Sequence, residues 1–404
     1  MTTFATSPMA NLIDEPVRYD LGESTCPPVR LADLVDGAAL DGLELGYGTS
    51  RGDAELRALI AADAGVAADQ VLVTVGAVEA MFLLAQDRTG GRVALVSPCF
   101  PPAEIIPAGL GSPVDIVPAR FDDGYRLPIE SIECALTADT RLVSLASPQN
   151  PSGVRFTEAE IRDVVTIIEQ RSPDAVVFVD ETYRASTYGD AAVPPSMAKL
   201  SPRVVTCSSL SKAHGAPGLR LGWLTTTDPE LYERLRNAKF LTTIACSTLD
   251  ETLAAAVLRR SATILAPRAA RLDRALTELM TWAADQPVEV VRPDGRAVCC
   301  VRLRSDVYAD ATLPRFYAHL GDEGVRVAPG SWFGADDRTF RLGFGHLDAD
   351  DFTEALARLG TALAKVALDR GWVRRLRGTR AVAVTPSGRA QLEKVFNLRW
   401  EERP

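Results

Sequence analysis

Short apolar runs rich in valine recur along the middle of the chain, and helical patterns lie between several of them. Between residues 71 and 226 the runs are VLVTVG, RVALVSP, VDIVPA, RLVSLASP, AVVFVDE, RVVTCSS and LRLGWLTT. Runs this short and apolar are typical of strands buried on both faces. One intervening segment, TEAEIRDVVTIIEQR from Thr157, opens with the Thr-x-x-Glu pattern of a helix capping box. The alternation predicts a parallel sheet covered by helices.

The rest of the chain predicts a second, smaller unit. Helical patterns run from about Leu253 to Ala284, and VEVVRP, AVCCVRL, GVRVAPG, TFRLGFG and the helical DFTEALARLGTALAKVA follow them. A chain of 404 residues also exceeds one ordinary core. The predicted fold is α/β, with a mostly parallel sheet in a large domain and a smaller C-terminal α/β domain. We predict four parts. Residues 46–275 form the large domain, 276–365 the small domain and 366–404 a basic tail. Residues 1–45 contribute to the small domain and to the mouth of an active site.

Composition excludes several classes of protein. Apolar residues make up 47% and charged residues 24%, as in ordinary globular proteins, and the net charge of -9 argues against a general nucleic-acid binder. Seven cysteines without a C-x-x-C spacing indicate neither disulfides nor zinc, and the three histidines form no metal-ligand pattern. No basic start and no run of about eighteen apolar residues is present. We therefore expect a cytoplasmic protein that neither binds metal nor spans a membrane.

Residues suited to chemistry follow the ends of five predicted strands. Gly76 and Ala77 follow VLVTV, Phe100 follows RVALVSPC, Asn150 follows RLVSLASPQ, Asp180 ends VVFVD, and Lys212 follows RVVTCSSLS. The carboxyl ends of parallel strands meet at one edge of a sheet, where ligands bind. Backbone N–H groups at a helix start, such as the one predicted after Gly76, can hold an anion. The sequence thus predicts one site that combines a lysine, a carboxylate, an amide and an anion-binding turn.

The segment SSLSKAHGAPGLRLGW, with Lys212 and Arg220, resembles a known family. It is similar to the Schiff-base segment of fold-type I pyridoxal phosphate (PLP) enzymes, in particular the class I/II aminotransferases, and the resemblance covers roughly Tyr47 to Leu363. It implies the family's fold, PLP as cofactor, and Lys212 as the lysine that forms the Schiff base. Ser209 and Arg220 would bind the cofactor phosphate. A partly desolvated lysine amine can lose its proton and attack an aldehyde.

Other motifs imply further cofactor contacts. VDETY resembles the segment whose aspartate, here Asp180, pairs with the pyridinium nitrogen and keeps the ring an electron sink. Tyr183 at the end of VDETY and Asn150 in SPQNPSG would contact the cofactor's phenolic oxygen. VGAVEA resembles the phosphate-binding turn, where Ala77 and Val78 would contribute mainly backbone amides.

The resemblance also implies residues around the substrate and a partner subunit. SPCFPP places Phe100 where the family stacks an aromatic ring on the cofactor, and Tyr47 of LGYGTS would reach the phosphate of a neighbouring subunit. The expected assembly is a homodimer with shared active sites. FRLGFG resembles the segment whose arginine, here Arg341, clamps the substrate α-carboxylate as a bidentate fork. The loop DLGESTCPP, with Gly22 and Glu23, would face the substrate, and Glu23 is either a contact for a cationic side chain or an exposed loop residue.

Three functions remain open at this stage. The first is transfer of an amino group from an α-amino acid to a 2-oxo acid, and ACSTLD lacks the second arginine of dicarboxylate-specific relatives, which puts aspartate and glutamate as donors in doubt. The second is a PLP-dependent lyase, cyclase or oxidase of specialised metabolism, because these reactions share their first steps with transamination. The third is a PLP-binding regulator without enzyme activity.

The C-terminal tail prompted the third function. Residues 366–404 contain nine Lys and Arg against four acidic residues, and RGWVRRLRGTRAVAVTPSGRAQLEKVF resembles the wing and last helix of a winged-helix domain. Too few residues precede it for a complete helix-turn-helix. A remnant, a docking module or a dimer contact is therefore expected rather than DNA recognition.

Overall fold

The computed structural model describes residues 3–369, 373–375, 382–385 and 388. Its strands are β1 (Tyr19–Asp20), β2 (Val71–Thr74), β3 (Arg92–Ser97), β4 (Val114–Pro118), β5 (Thr140–Ala146), β6 (Val176–Asp180), β7 (Val204–Ser209), β8 (Gly222–Thr226), β9 (Val288–Val291), β10 (Val298–Leu303), β11 (Val325–Arg326), β12 (Ala328–Pro329), β13 (Thr339–Gly343), β14 (Val373–Arg375) and β15 (Val382–Val384). The helices are α1 (Ala10–Asp14), α2 (Leu31–Leu34), α3 (Ala54–Ala64), α4 (Gly76–Asp87), α5 (Pro102–Gly109), α6 (Ile129–Ala135), α7 (Glu158–Arg171), α8 (Pro229–Phe240), α9 (Thr248–Arg259), α10 (Ser261–Ala284), α11 (Leu313–Asp322) and α12 (Ala349–Asp369).

A seven-stranded sheet forms the centre of the large part of the molecule. Its order is β2-β8-β7-β6-β5-β3-β4, and all neighbours run parallel except at β8, which is antiparallel to both β2 and β7. Valine and leucine fill these strands, and β2, β6 and β8 are buried along their whole length. The α/β prediction with a mostly parallel sheet is confirmed.

The last predicted strand of this sheet begins later than the apolar run LRLGWLTT indicates. Pro217–Leu219 form a 3-10 turn, and Arg220 takes a left-handed backbone conformation with φ of 46°. Proline presets the turn, and the left-handed residue ends it, so β8 starts only at Gly222. Arg220 therefore lies just before β8, at the end of the sheet where β7 stops, and not inside a strand.

The helix predicted from Thr157 forms as expected. The Thr157 hydroxyl accepts a hydrogen bond from the Glu160 backbone N–H, and the Glu160 carboxylate accepts one from the Thr157 backbone N–H at 2.6 Å. This reciprocal capping satisfies two backbone donors that a helix start leaves unpaired. Helix α7 then buries Ile161, Val164 and Ile168 against the sheet.

A four-stranded antiparallel sheet, ordered β12-β13-β10-β9, forms the smaller part. Its core joins Leu276 and Leu279 of α10, Phe340 and Leu342 of β13, and Leu359 of α12, all of which are buried. Strand β1 pairs in parallel with β11. The N-terminal segment therefore lies against the small sheet before the chain enters the large sheet.

The loop after β1 is held between the two sheets. The Leu21 carbonyl oxygen accepts a hydrogen bond of 2.6 Å from the Gly343 backbone N–H at the end of β13. Asp20 forms an ion pair with Arg326 and also accepts a hydrogen bond of 2.8 Å from the Gly22 backbone N–H. These contacts fix the backbone of Gly22 and Glu23 beside the end of β13.

Only part of the basic tail is described. Strands β14 and β15 pair antiparallel, with Arg374 opposite Ala383. The predicted winged-helix resemblance of 366–404 otherwise falls largely outside the described residues. Within the described part of the chain, no helix combines the length and the apolar character needed to cross a membrane.

Replacing Gly343 by alanine should disturb the site through the N-terminal loop. A Cβ at this position would overlap the Glu23 carbonyl oxygen. We expect Gly343→Ala to destabilise the protein by about 1–3 kcal/mol, as overpacking does, when unfolding is measured in denaturant. Gly321→Ala in α11 is the matched control, because its Cβ would meet no atom within 4 Å. Equal stability of the two variants would contradict this prediction.

Candidate active site

The strand ends bring most of the predicted residues to one place. Asp180 ends β6, Ser209 ends β7, and Asn150 lies in the turn after β5. Arg341 reaches the same place from β13 of the small sheet. Because β5, β6 and β7 run parallel, their carboxyl ends share one edge, and the small sheet faces that edge.

A hydrogen-bonded chain connects Lys212 to Tyr183 through a residue that the sequence did not single out. The Lys212 Nζ donates to Ser24 Oγ at 3.0 Å, and Ser24 Oγ lies 3.1 Å from the Tyr183 hydroxyl oxygen. Lys212 is 25% exposed, whereas Ser24 and Tyr183 are buried. Ser24 follows the predicted Glu23 directly, and that adjacency was its only sequence signal. The three polar groups therefore form one hydrogen-bonded chain, along which a proton can pass.

Glu23 supplies a negative charge beside Lys212. Its Oε1 lies 3.9 Å from Lys212 Nζ and accepts hydrogen bonds from the backbone N–H groups of Ser24 at 2.6 Å and Thr25 at 2.9 Å. Burial raises the pKa of Glu23, but Lys212, these N–H groups and Arg341 together outweigh burial and lower it. Glu23 is therefore a carboxylate at neutral pH and is not the exposed loop residue of the alternative interpretation.

Arg341 is 1% exposed and connects three parts of the chain. Its Nη1 donates to Asn150 Oδ1 at 3.0 Å, and its Nη2 donates to the Gly22 carbonyl oxygen at 2.5 Å. Its Nε has no hydrogen-bond partner within the described residues, and its guanidinium carbon lies 4.7 Å from the centre of the Phe333 ring. A buried guanidinium with an unused donor is suited to an anionic ligand such as a carboxylate.

Asp180 is held by groups just after its own strand and by a thiol of the neighbouring strand β7. Its Oδ1 accepts hydrogen bonds from the Thr182 backbone N–H at 2.9 Å, from the Thr182 hydroxyl at 2.5 Å and from the Cys207 thiol at 3.6 Å. The carboxyl group is buried. Such a fixed carboxylate can pair with a cationic ring nitrogen of a ligand.

The start of α4 forms a cradle for an anion. The side chain of the N-cap residue Val75 makes no capping hydrogen bond, the Glu79 carboxylate accepts one from the Val75 backbone N–H at 2.5 Å, and Gly76, the first helical residue, has a φ of 71°. A Cβ on Gly222 would lie 2.6 Å from the Ala77 backbone nitrogen, and one on Gly76 would lie 2.8 Å from Arg220 Nη2. Only glycine permits this close approach, which places a guanidinium beside the N-terminus of a helix. Backbone N–H groups and a cation together suit a phosphate.

The remaining predicted residues lie at the edges of this site. Val78 is partly exposed in the first turn of α4, and Ser209 Oγ accepts a hydrogen bond of 3.3 Å from the Ser211 backbone N–H. Phe100 is half-buried and packs against the core on the α4 side of the sheet. Tyr47 is 89% exposed in the single chain. Its predicted reach into a neighbouring subunit stays a prediction.

A family model for class I and II aminotransferases matches residues 17–359. The chain belongs to this family. Members of the family are PLP-dependent enzymes, so the predictions of an enzyme and of PLP as its cofactor are confirmed. The residues present fit that cofactor, because the cradle beside Arg220, the buried carboxylate of Asp180 and the amine of Lys212 match its phosphate, its ring nitrogen and its aldehyde.

Curated relatives of this aminotransferase-family protein include two with different chemistry in their names. Capreomycidine synthase from Streptomyces vinaceus is 29% identical over 324 residues, which cover 77% of this chain and 79% of the relative. Arginine–pyruvate transaminase AruH from Pseudomonas aeruginosa is 29% identical over 357 residues, which cover 81% and 86%. The family therefore holds both a transaminase and a synthase at the same distance from this chain.

Solved structures similar to this chain also include both a cyclase and an aminotransferase. The PLP-dependent cyclase OrfR superimposes with a TM-score of 0.76 at 26% identity, over 87% of this chain and 94% of that one. A PLP-dependent aminotransferase from Streptococcus suis superimposes with a TM-score of 0.77 at 23% identity, again over 87% and 94%. The second likeness establishes the fold.

His214 lies two residues after Lys212 but faces away from it. Its Nε2 lies 2.9 Å from Ser261 Oγ at the start of α10. Burial lowers the pKa of His214 to about 4. The imidazole is therefore neutral over the physiological range, and its contacts are with the packing around α10.

His214 should make stability depend on pH in a defined window. In the unfolded chain His214 binds a proton below its ordinary pKa of about 6.5. In the folded protein it binds that proton only below about pH 4. The free energy of unfolding of the wild type should thus fall, relative to His214→Gln, as pH falls through this window. Denaturant unfolding of both proteins at several pH values measures this. Parallel profiles of the two proteins would contradict it.

Proposed function

We propose that this protein is a PLP-dependent aminotransferase that moves an amino group from an α-amino acid to a 2-oxo acid, with Lys212 as its Schiff-base lysine. The observation that carries the proposal is the hydrogen-bonded chain from Lys212 through Ser24 to Tyr183, in a site that Arg341 and Asn150 also reach. When bound, PLP supplies an aldehyde for amino groups and an electron sink for charge at the α-carbon.

Lys212 and its neighbours handle the proton. The amine of Lys212 lies 5.8 Å from the centre of the Tyr183 ring and 3.0 Å from Ser24 Oγ. It would be the base that removes the substrate's α-proton and returns it. Glu23 stabilises the ammonium form that results, because its carboxylate lies 3.9 Å away.

Arg341 and Asn150 orient the substrate. The guanidinium of Arg341 would bind the α-carboxylate, and Asn150 and the Gly22 carbonyl hold that guanidinium in place. This fork would hold the carboxylate end of the substrate in the site that carries Lys212. Orientation of this kind lowers the entropic part of the barrier.

The other predicted residues would hold the cofactor. In this proposal Asp180 would pair with the pyridinium nitrogen and Tyr183 would contact the phenolic oxygen. Phe100 would stack on the ring, and Ala77, Val78, Ser209 and Arg220 would donate to the phosphate, together with Tyr47 of a partner subunit.

The substrate class follows from two features. ACSTLD carries no second arginine for a side-chain carboxylate, and Glu23 presents a negative charge at the site. A cationic α-amino acid suits this arrangement better than aspartate or glutamate. The name of the relative arginine–pyruvate transaminase makes arginine the first donor to test.

Cyclisation is the second candidate function. The names of two relatives, capreomycidine synthase and the cyclase OrfR, favour it, and both cover more than three quarters of this chain. The same residues would remove the α-proton in either reaction. A lyase or oxidase of an amino acid would also share that step.

A homodimer is part of the proposal. Leu45, Tyr47 and Leu241 are all more than three quarters exposed in the single chain, which is unusual for such large apolar side chains. Burial of this surface against a second copy would place Tyr47 at the partner's phosphate cradle. Sedimentation of the purified protein would measure the assembly.

The decisive experiment records the absorbance of the PLP-loaded protein as amino acids are added one at a time, with and without 2-oxo acids. Conversion of the cofactor to pyridoxamine phosphate, reversed by a 2-oxo acid, is the expected result, with arginine more effective than aspartate. Release of product without pyridoxamine phosphate would instead support the cyclase, lyase or oxidase. A protein that binds PLP but reacts with no amino acid would refute both candidates.

Lys212→Ala should abolish the covalent attachment of PLP, because the side chain then lacks the amine. Borohydride reduction followed by peptide mass spectrometry should find PLP on the peptide with residue 212 in the wild type and nowhere in the variant. Lys199→Ala, at an exposed lysine, is the matched control and should keep the attachment. Attachment that survives Lys212→Ala would refute the assignment.

A further inference from the structure

Arg296 is a buried cation that neither the sequence motifs nor the proposed function account for. It lies two residues before β10 in the segment RPDGRAVCC, and its side chain is completely buried. None of its Nε, Nη1 and Nη2 atoms has a hydrogen bond of ordinary geometry within the described residues. Burying an unpaired guanidinium costs free energy, so its retention here needs a physical reason.

The close neighbour of Arg296 is Tyr183. The guanidinium carbon lies 3.2 Å from the centre of the Tyr183 ring, so the cation stacks on the aromatic face. Two backbone hydrogen bonds hold it there, because the Arg296 N–H donates to the Ser186 carbonyl at 3.0 Å and the Tyr188 hydroxyl donates to the Arg296 carbonyl at 2.7 Å. Both partners lie within five residues of Tyr183.

The backbone of Arg296 is also unusual. Its φ is 87°, in the left-handed region that non-glycine residues rarely occupy. The two hydrogen bonds to Ser186 and Tyr188 hold this conformation. The fold therefore maintains an unfavourable backbone geometry that places a guanidinium on the ring of Tyr183.

The Tyr183 hydroxyl faces several charges. Burial raises its pKa, but Arg296 first, then Lys212 and Arg341, together with the hydrogen bond to Ser24, outweigh burial and lower it. Arg296 is thus the strongest of the cations acting on this phenol.

Carboxylates lie further along the same network. Asp180 acts on Arg296, and Glu23 lies beside Lys212 and Arg341. Burial lowers the pKa of Arg296 to about 10, and Tyr183 opposes that effect, so the guanidinium is charged at neutral pH. The Cys300 thiol, also near both arginines, stays neutral because burial raises its pKa to about 12.

We propose that Arg296 is a positioning residue that acts through Tyr183: its guanidinium holds the phenol ring by stacking and stabilises negative charge on the phenolic oxygen. This rests on the proposed function, in which that hydroxyl faces the phenolic oxygen of PLP. A phenol whose oxygen carries charge more easily is a stronger hydrogen-bond donor. Arg296 thereby favours the form of the cofactor whose Schiff base has lost its proton.

The test is a pH titration of the absorbance of the PLP-loaded protein. Arg296→Met should raise the midpoint by about one pH unit, since a charge within a few ångströms shifts a pKa by that order. Arg296→Lys, which keeps the charge without the planar stack, should give an intermediate midpoint. Arg292→Met is the matched control, because Arg292 is exposed in the same segment, and its midpoint should equal that of the wild type.

A double-mutant cycle decides whether Arg296 acts through Tyr183. Tyr183→Phe should also raise the midpoint, and Arg296→Met should add little in the Tyr183→Phe background. Additive shifts, or an unchanged midpoint in Arg296→Met with PLP still bound, would overturn the proposal. If Arg296→Met does not fold, Arg296→Lys carries the same cycle.

A second readout separates this proposal from the proposed function. Unfolding free energies of the wild type, Arg296→Met, Tyr183→Leu and the double variant report the Arg296–Tyr183 stack whatever reaction PLP undergoes, because leucine removes the aromatic ring, and the effects should be non-additive. Additive unfolding effects would overturn the contact itself. If no PLP absorbance depends on Lys212, the proposed function is refuted. The unfolding cycle then still tests whether Arg296 contacts Tyr183.

Discussion

The arrangement of the site depends on the hydrogen bonds that the buried guanidinium of Arg341 donates. It joins the small sheet to the turn after β5, through Asn150, and to the N-terminal loop, through the Gly22 carbonyl. Burying a charge is costly unless it is hydrogen-bonded, so the two hydrogen bonds of Arg341 favour a fixed arrangement of these three segments. The loop that carries Glu23 and Ser24 is thereby held over Lys212.

Positive charge dominates the space around Tyr183. Lys212, Arg341 and Arg296 all act on its phenol, whereas Glu23 is the carboxylate beside Lys212. Taken alone, such an excess of buried cations is unfavourable. In the proposed function, an anionic cofactor and a carboxylate substrate would offset this excess of positive charge.

Sequence patterns were most informative where a motif is local. The valine-rich runs predicted the strands of the large sheet, and Thr157 with Glu160 predicted the start of α7, because strand burial and helix capping depend on residues close together in the chain. Antiparallel β8 and its late start at Gly222 were not predicted. The direction of β8 is fixed by its pairing with β2, a strand far away in the sequence, and its start follows from the turn at Pro217–Leu219 and the left-handed backbone of Arg220.

The sequence by itself determined the fold class, the family, the cofactor and the identity of the residues placed at the strand ends, such as Asp180 and Lys212. Only the tertiary structure decided which residues connect these side chains and which residues pack behind them. Ser24 lies 188 positions from Lys212, and Arg296 lies over a hundred positions from Tyr183, yet each pair is in contact. Contacts between distant segments arise from the docking of two sheets, and no local pattern encodes that geometry.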